Sequence, residues 1–162
     1  METAVGTKSK YLLNILIESD DEVLISKYQE AIDKRRSEDA GFDLFIPDEL
    51  DTINKSLIVN HKIKCEMLNL KTGEYISYLL YPRSSTSNYK IVMYNGVGVI
   101  DSGYRGPISA KFHSLGDLYE IIPKYSRLCQ LCHPNLKPFD IKLVNKLSES
   151  LRGTGGFGST GK

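Results

Sequence analysis

The feature that most restricts the fold is a series of short strand-like runs between residues 42 and 133. In each run apolar and polar residues alternate or β-branched residues are frequent, and Gly, Pro, Asn or Asp separates it from the next. The runs are 42–46, 56–67, 74–81, 90–94, 107–113 and 125–133. Many short strands with turn residues at close spacing predict an all-β barrel or sandwich and not an α/β sheet.

Two elements are predicted before this region. Residues 12–18 are an apolar run that predicts a first strand, and Asp20 and Asp21 can cap a short helix over 22–35. One face of this helix is apolar: Leu24, Tyr28, Ala31 and Ile32. The 162 residues fit one domain of ordinary size.

The balance of charge argues against a polymeric anion as partner. Lys+Arg 21 and Asp+Glu 20 leave a formal net charge of +1, so the chain as a whole does not attract nucleic acid or an anionic membrane. No stretch reaches the roughly 20 apolar residues that cross a bilayer, and no secretion signal is visible. We therefore expect an intracellular protein, cytoplasmic or nuclear, with thiol cysteines and a small anionic ligand.

The glycine-rich end of the chain, residues 152–162, is the first candidate binding segment. Its glycines let backbone N–H groups approach an anion closely, and Arg152 adds a planar fork suited to phosphate. Ser159 and Thr160 add hydroxyl donors, and Phe157 can stack on a base. The alternative is a flexible terminal linker, because glycine-rich tails behave as coils.

A second candidate is the segment from Asn95 to Gly106. Asn95-Gly96 predicts a tight hairpin. Asp101 follows an apolar run directly, so its carboxylate can be partly desolvated and act as a general base on water. Tyr104 lies close behind and can pack against a sugar. The alternative for Asp101 is a turn residue that makes local backbone hydrogen bonds.

Two weaker signals lie earlier in the chain. Arg83 with the adjacent hydroxyls of Ser84 and Ser85 forms a reasonable phosphate clamp, although Pro and Ser are also ordinary turn residues. Asp43 is a charge between apolar neighbours, and it is either an outward strand residue or a group that positions a metal or its waters.

The run from Cys129 to His133 matches the C-x-x-C-H haem attachment pattern. Haem attachment needs export in most settings, and a zinc site would have few further ligands to draw on. Residues three apart on a strand point to opposite faces, so Cys129 and Cys132 should not form a disulfide easily. Two strand thiols are the favoured interpretation.

Taken in order, these segments resemble the five motifs of the trimeric deoxyuridine triphosphatase (dUTPase) family. The resemblance covers about residues 40 to 161, and its third and fifth motifs are specific. The segments are AGFDL at 40–44, PRSS at 82–85, GVIDSGYRG at 98–106, RLCQL at 127–131 and RGTGGFGSTG at 152–161. The predicted helix lies outside the motifs. Pro107, Asp39 and Cys129 depart from the family pattern, and Pro107 removes a backbone donor, so the local ladder can differ.

The resemblance implies a jelly-roll-type β-barrel that forms homotrimers and hydrolyses dUTP to dUMP and pyrophosphate. That reaction lowers dUTP and supplies dUMP for thymidylate synthesis. By resemblance, Asp101 activates the water that attacks the α-phosphorus, and Mg²⁺ bridges the triphosphate oxygens. Asp43 reaches that Mg²⁺ through water.

The resemblance also assigns the substrate-binding residues, and it divides the chain into a barrel, 1–151, and a flexible arm of the same domain, 152–162. The arm closes as a lid over a site shared between subunits. The residues are Arg83, Ser84, Ser85 and Gln130 for the phosphates; Asn95, Gly98 and Val99 for uracil; Tyr104 for the deoxyribose; and Arg152, Phe157, Gly158, Ser159 and Thr160 in the arm.

Two other functions remain open at this point. A dCTP deaminase shares the barrel family, although the glycine-rich tail with Phe157, together with Asp101 and Tyr104, argues against it. A non-catalytic β-barrel module could use the tail to bind a partner. Such a module should show no rise in melting temperature with nucleotide, because a ligand that binds only the folded state must stabilise it.

Overall fold

Strands dominate the computed structural model, which describes residues 9–117 and 119–155. The first half of the chain contains β1 Tyr11–Ile17, α1 Glu22–Asp33, β2 Gly41–Phe45, β3 Leu50–Asp51, β4 Ser56–Asn69, β5 Tyr75–Ile76 and β6 Tyr78–Pro82. A 3₁₀ helix, Ser84–Tyr89, leads into the second half, which contains β7 Ile91–Met93, β8 Gly98–Ile100, β9 Pro107–Ser114, β10 Ile121–Ile122, β11 Arg127–Cys132 and β12 Asp140–Leu143. The prediction of an all-β fold with one short helix near the N-terminus is confirmed.

The strands form two large sheets and one two-stranded sheet. The first has the order β12-β1-β4-β9-β7, with β5 paired to β4; the second has the order β2-β11-β6-β8; and β10 pairs with β3. Side chains from both large sheets belong to one buried cluster, including Leu13 and Phe112 of the first sheet and Leu80 and Leu131 of the second. The two large sheets therefore share one core.

Strand β4 shows how the sequence produces this arrangement. From Leu57 to Met67 every second residue is buried, because successive side chains of a strand point to opposite faces. Its pairing with β9 shifts register between Asn60 and Lys64, where Pro107 begins β9. A proline fits at such a position because it has no N–H to give to the ladder. The ladder between β4 and β9 is thus irregular next to Pro107.

Helix α1 begins where the sequence predicts and ends two residues earlier. Asp21 is the N-cap, and its Oδ1 accepts from the backbone N–H groups of Val23 at 3.0 Å and Leu24 at 3.2 Å. Leu24 and Tyr28 are fully buried, and the Tyr28 hydroxyl accepts from the Phe45 backbone N–H at 3.2 Å. The apolar face of α1 thus packs on β2.

The predicted hairpin at Asn95-Gly96 is wrong in its pairing. The tight turn is present, with the Gly96 N–H donating to the Met93 carbonyl at 3.1 Å. The strands on either side belong to different sheets, however, because β7 pairs with β9 and β8 pairs with β6. The turn therefore carries the chain from one sheet to the other.

In the described part of the chain, no helix is both long enough and apolar enough to span a membrane. Cys129 and Cys132 lie on β11 as predicted, and both are buried thiols, as is Cys65.

Candidate functional site

The predicted site residues fall around two cavities. The first, called here the β8 cavity, has a volume of about 310 Å³. Six of the predicted residues line it: Asn95, Gly98, Val99, Asp101, Tyr104 and Arg152. Its volume is at the lower end of the range for small-molecule sites. Backbone of β8, an acid, an aromatic ring and a guanidinium are therefore brought to one concave surface.

Asp101 lies just after β8 and forms an ion pair with Arg152 of the same chain through Oδ2 and Nη1. The side chain of Asp101 is 51% exposed and that of Arg152 is 37% exposed. The expected partial desolvation of Asp101 is thus slight in the single chain, and a cation, not burial, distinguishes this carboxylate. Arg152 also lies 5.9 Å from the centroid of the Tyr104 ring.

Tyr104 is folded over its own loop. Its side-chain hydroxyl donates to the Pro107 carbonyl at 2.9 Å, and its pKa is raised by burial. The ring occupies the space where a Cβ on Gly106 would stand, since that Cβ would lie 2.8 Å from the ring Cε2. Gly106 is therefore the residue that permits this position of the ring. The sequence pattern gave no reason to single it out beyond its place in the third motif.

A buried ion pair holds the loop that carries Asp101 and Tyr104. Arg105 and Glu66 are 8% and 3% exposed, and Arg105 Nε lies 3.2 Å from Glu66 Oε2. Arg105 Nη1 donates to the carbonyls of Ser102 at 2.7 Å and Tyr104 at 3.0 Å. The same Glu66 oxygen accepts from the Ser148 hydroxyl at 2.6 Å. The pair therefore ties the loop both to β4 and to the chain leading into residues 152–155.

Sequence reasoning did not assign a role to Glu66 or Arg105. The available signal was the acid Glu66 between Cys65 and Met67, because a carboxylate inside a buried strand is almost always paired. The sequence could not say which cation pairs with it.

The second cavity, called here the α1 cavity, has a volume of about 750 Å³. It is lined by Asp43 of β2, by Arg83 directly after β6, and by Arg127 and Gln130 of β11. Both oxygens of Asp43 are paired, Oδ1 with Arg83 Nε at 2.8 Å and Oδ2 with Arg127 Nη1 at 3.1 Å. The role of Arg127 was missed, although its place at the start of the fourth motif was the signal.

Gly41 allows Gln130 to enter this cavity. The strands β2 and β11 pair side by side, and a Cβ on Gly41 would lie 2.9 Å from Cδ of Gln130. A side chain at position 41 would therefore displace the amide that the sequence predicts to bind phosphate.

The remaining predicted residues lie beside or outside the two cavities. Ser85 Oγ accepts from Arg83 Nη1 at 3.0 Å, whereas Ser84 is exposed at the start of the 3₁₀ helix. Arg152 lies in the β8 cavity and not with Arg83. Four predicted residues are outside the described part of the chain: Phe157, Gly158, Ser159 and Thr160.

The chain's own acids are poorly arranged to hold a resident metal ion. Among the described residues, no three His, Cys, Asp or Glu side chains converge on one point. Both oxygens of Asp43 are already engaged by arginines.

Comparisons with known proteins converge on one family. The dUTPase family model matches residues 27–161. The deoxyuridine 5'-triphosphate nucleotidohydrolase of Escherichia phage T5 is 40% identical over 84 residues, which are 51% of this chain and 57% of the phage protein. The protein of the same name from Clostridium tetani is 33% identical over 125 residues, which are 76% of this chain and 83% of that protein.

The fold is also found among solved structures. A Staphylococcus bacteriophage 80alpha dUTPase, solved as a G164S mutant with dUpNHpp, superposes with a TM-score of 0.54 at 20% identity. The superposition covers 93% of this chain and 98% of the phage chain. At that identity the likeness concerns the fold.

Proposed function

We propose that this chain, which belongs to the dUTPase family, hydrolyses dUTP to dUMP and pyrophosphate. The observation that carries the proposal is the β8 cavity, where Asp101 and Tyr104 of the third motif meet the backbone of Gly98 and Val99. A strand edge offers hydrogen-bonding groups to a base, the ring packs on a sugar, and the acid stands where water can be activated. The names of the phage T5 and Clostridium tetani relatives support the same substrate.

The chemistry assigned to Asp101 is general-base catalysis. Its carboxylate takes a proton from a water molecule, and the water oxygen forms a bond to the α-phosphorus. The bond between that phosphorus and the oxygen bridging to the β-phosphate breaks, and the electron pair leaves with pyrophosphate. Asn95 and β8 bind the uracil edge, and Tyr104 packs on the deoxyribose so that a 2'-hydroxyl is excluded.

Arg152 connects substrate binding to the release of the Asp101 carboxylate from its ion pair. In the single chain the guanidinium occupies one oxygen of Asp101. A triphosphate carries more charge than one carboxylate and binds guanidinium strongly. Substrate binding at the site that the arm covers therefore draws Arg152 to the outer phosphates and leaves Asp101 of the same subunit as Arg152 free to face water. Ser159 and Thr160 bind the same phosphates, and Phe157 stacks over uracil.

The phosphates are assigned to the α1 cavity, where Arg83, Ser84, Ser85 and Gln130 hold them. A Mg²⁺ ion bound to the triphosphate would supply neutralisation of its negative charge. Asp43, whose oxygens pair with Arg83 and Arg127, would hold that ion through water.

We further propose a homotrimer with shared sites. Within residues 9–117 and 119–155, no residue lines both cavities, so the two halves of the site are separate surfaces of one chain. In a symmetric trimer the β8 cavity of one subunit can face the α1 cavity of the next, with the arm of the third closing over both.

The deciding experiment is a pyrophosphate-release assay with dUTP, UTP, dTTP and dCTP, with and without Mg²⁺. We expect dUTP with Mg²⁺ to be much the fastest. Equal rates on all four nucleotides would remove the proposal, and ammonia release from dCTP would support a deaminase instead.

The role of Asp101 is tested by Asp101→Asn, with Asp48→Asn as the matched control. Asp48 is exposed and lines neither cavity. Loss of a general base typically lowers kcat by about 10²–10⁴-fold. We expect that loss for Asp101→Asn, with dUTP still bound, and normal kcat for the control. Near-normal kcat in Asp101→Asn would exclude it as the base.

A further inference from the structure

Helix α1 forms one wall of the α1 cavity, although it lies outside the five motifs. Lys27, Ala31 and the C-cap residue Lys34 follow one another at intervals of four and three residues, so they lie on the same side of α1. All three line the cavity, and so does Arg36 in the loop after the helix. The cations of α1 therefore face the same space as Arg83 and Gln130.

The α1 cavity is strongly positive. Its lining includes six cationic side chains, Lys27, Lys34, Arg35, Arg36, Arg83 and Arg127, and three acidic ones, Glu30, Asp39 and Asp43. The difference is a formal charge of +3, whereas the whole chain carries +1. Positive charge is thus concentrated at this cavity, which attracts and holds anions.

Partner contacts show which of these cations are available to a ligand. Arg83 and Arg127 each share part of their charge with Asp43. Lys34 Nζ pairs with Glu30 at 2.5 Å, but both side chains are more than half exposed. An exposed pair of this kind is weak and can be given up for a more highly charged anion.

Lys27 and Arg36 have fewer acidic partners that would compete with a ligand. The ammonium of Lys27 lies 5.3 Å from the centroid of the Tyr125 ring, a contact that leaves its charge in place. The guanidinium of Arg36 has no hydrogen bond or ion pair with any described residue; its backbone N–H and carbonyl are both bonded, to the side chain and the backbone N–H of Asp39. Among the described residues, Lys27 and Arg36 therefore form no ion pair with a carboxylate.

We propose that Lys27, Lys34 and Arg36, named here the α1 rim, form an additional subsite for a diphosphate group. The ligand is the outer two phosphates of the nucleoside triphosphate and the pyrophosphate that they become. The inference rests on the proposed function for the identity of the nucleotide, but not for the diphosphate chemistry. The α1 rim adds affinity for these phosphates without touching the base, the sugar or the α-phosphorus.

The α1 rim should therefore affect binding and not the chemical step. A contact that holds substrate and transition state equally changes KM and leaves kcat unchanged. The same contact should also set the affinity for free pyrophosphate. It should leave the affinity for dUMP unchanged, because dUMP lacks both outer phosphates.

The test compares Lys27→Ala, Arg36→Ala and the double variant with the wild-type chain. Binding of pyrophosphate and of dUMP is measured by titration calorimetry at two salt concentrations, and kcat and KM are measured for dUTP. We expect the double variant to bind pyrophosphate about tenfold or more weakly, because each lost contact between a cation and phosphate is charge-assisted. The KM for dUTP should rise similarly while kcat and the dUMP affinity stay constant.

The matched controls are Lys71→Ala and Lys142→Ala, which remove the same charge from exposed positions that line neither cavity. Melting temperatures show that each variant is folded. Wild-type affinity for pyrophosphate in the double variant, or an equal loss of that affinity in the controls, would overturn the proposed diphosphate subsite at the α1 rim. If the wild-type chain fails to hydrolyse dUTP, the proposed function falls, while the pyrophosphate titrations still decide the subsite.

Discussion

At the scale of single residues, Gly106 illustrates how a side chain's absence shapes the site. An added Cβ would lie 2.8 Å from Cε2 of the Tyr104 ring, closer than carbon atoms pack. Because the ring cannot stay in place, Gly106→Ala should push it from the β8 cavity. We expect a loss of stability of about 1–3 kcal/mol, as for other overpacked sites, and a lower ratio of kcat/KM for dUTP over UTP.

Gly103→Ala is the control for that prediction. It lies in the same loop, and its added Cβ would meet no atom closer than 3.7 Å. Denaturant unfolding and the dUTP to UTP ratio should both stay near wild type. An unchanged ratio in Gly106→Ala would show that the position of Tyr104 does not set sugar selection.

The buried pair of Glu66 and Arg105 is a second feature at the scale of single residues, and we expect it to contribute strongly to stability. Glu66→Ala leaves Arg105, 8% exposed, without its carboxylate. Removing one partner of a buried pair costs about 3–5 kcal/mol, because the remaining charge stays buried and uncompensated. Urea unfolding should show a decrease of this size in the free energy of unfolding. Because the same loop carries Asp101, the activity on dUTP should fall as well.

Lys64→Ala provides the comparison: Lys64 lies on β4, as Glu66 does, and its ion pair with Glu18 is more exposed. Partly exposed pairs contribute about 0–1 kcal/mol. Equal losses in the two variants would mean that burial does not set the strength of the Glu66–Arg105 pair.

At the scale of elements, the irregular part of β4 carries a titratable group. His61 lies at the register shift, is fully buried and has Nδ1 3.1 Å from the Phe45 carbonyl oxygen. Burial lowers its pKa from 6.5 to about 4. The unfolded chain therefore binds a proton at a pH where the folded chain does not.

The sign of the pH dependence follows from this depressed pKa. The contribution of His61 is fully present above pH 6.5 and is lost as the pH falls from 6.5 towards about 4. A difference of this size corresponds to roughly 3 kcal/mol in the free energy of unfolding. We expect urea unfolding of His61→Gln to depend less on pH between 6.5 and 4 than that of the wild type. Parallel pH profiles would show that His61 does not titrate in this way.

At the scale of the whole molecule, the separation of the β8 and α1 cavities leads to a prediction about mixed oligomers. Asp101→Asn damages one half of the proposed shared site and Arg83→Ala damages the other. Each variant alone should be nearly inactive. If subunits are unfolded and refolded together in equal amounts, about a quarter of the sites in random trimers combine two intact halves.

Pyrophosphate release by the refolded mixture measures this recovery. The control is each variant refolded alone, which cannot assemble an intact site. A mixture as inactive as its components would place Asp101 and Arg83 of one site on the same subunit and would overturn the shared arrangement.

Much of the fold could be predicted from local patterns. The alternation in β4, the strand β1 and the cap of α1 at Asp21 are each readable within a few residues, because strand and helix periodicity are local properties. The strands β3 and β10 were missed because a strand of two residues is too short to show an alternating pattern. They are defined only by their pairing with each other. The pairing partners of β7 and β8 were equally out of reach.

At the site, residue types and motif order indicated an acid beside an aromatic ring, an arginine with neighbouring hydroxyls suited to phosphate, and a glycine-rich end with Arg152. They did so because both are written in the chain. Packing, which the motifs do not encode, divides these groups between two cavities and brings Arg152 to Asp101, Glu66 to Arg105 and the lysines of α1 to the α1 cavity. Those contacts join residues far apart in the chain, and their distances depend on how the sheets pack.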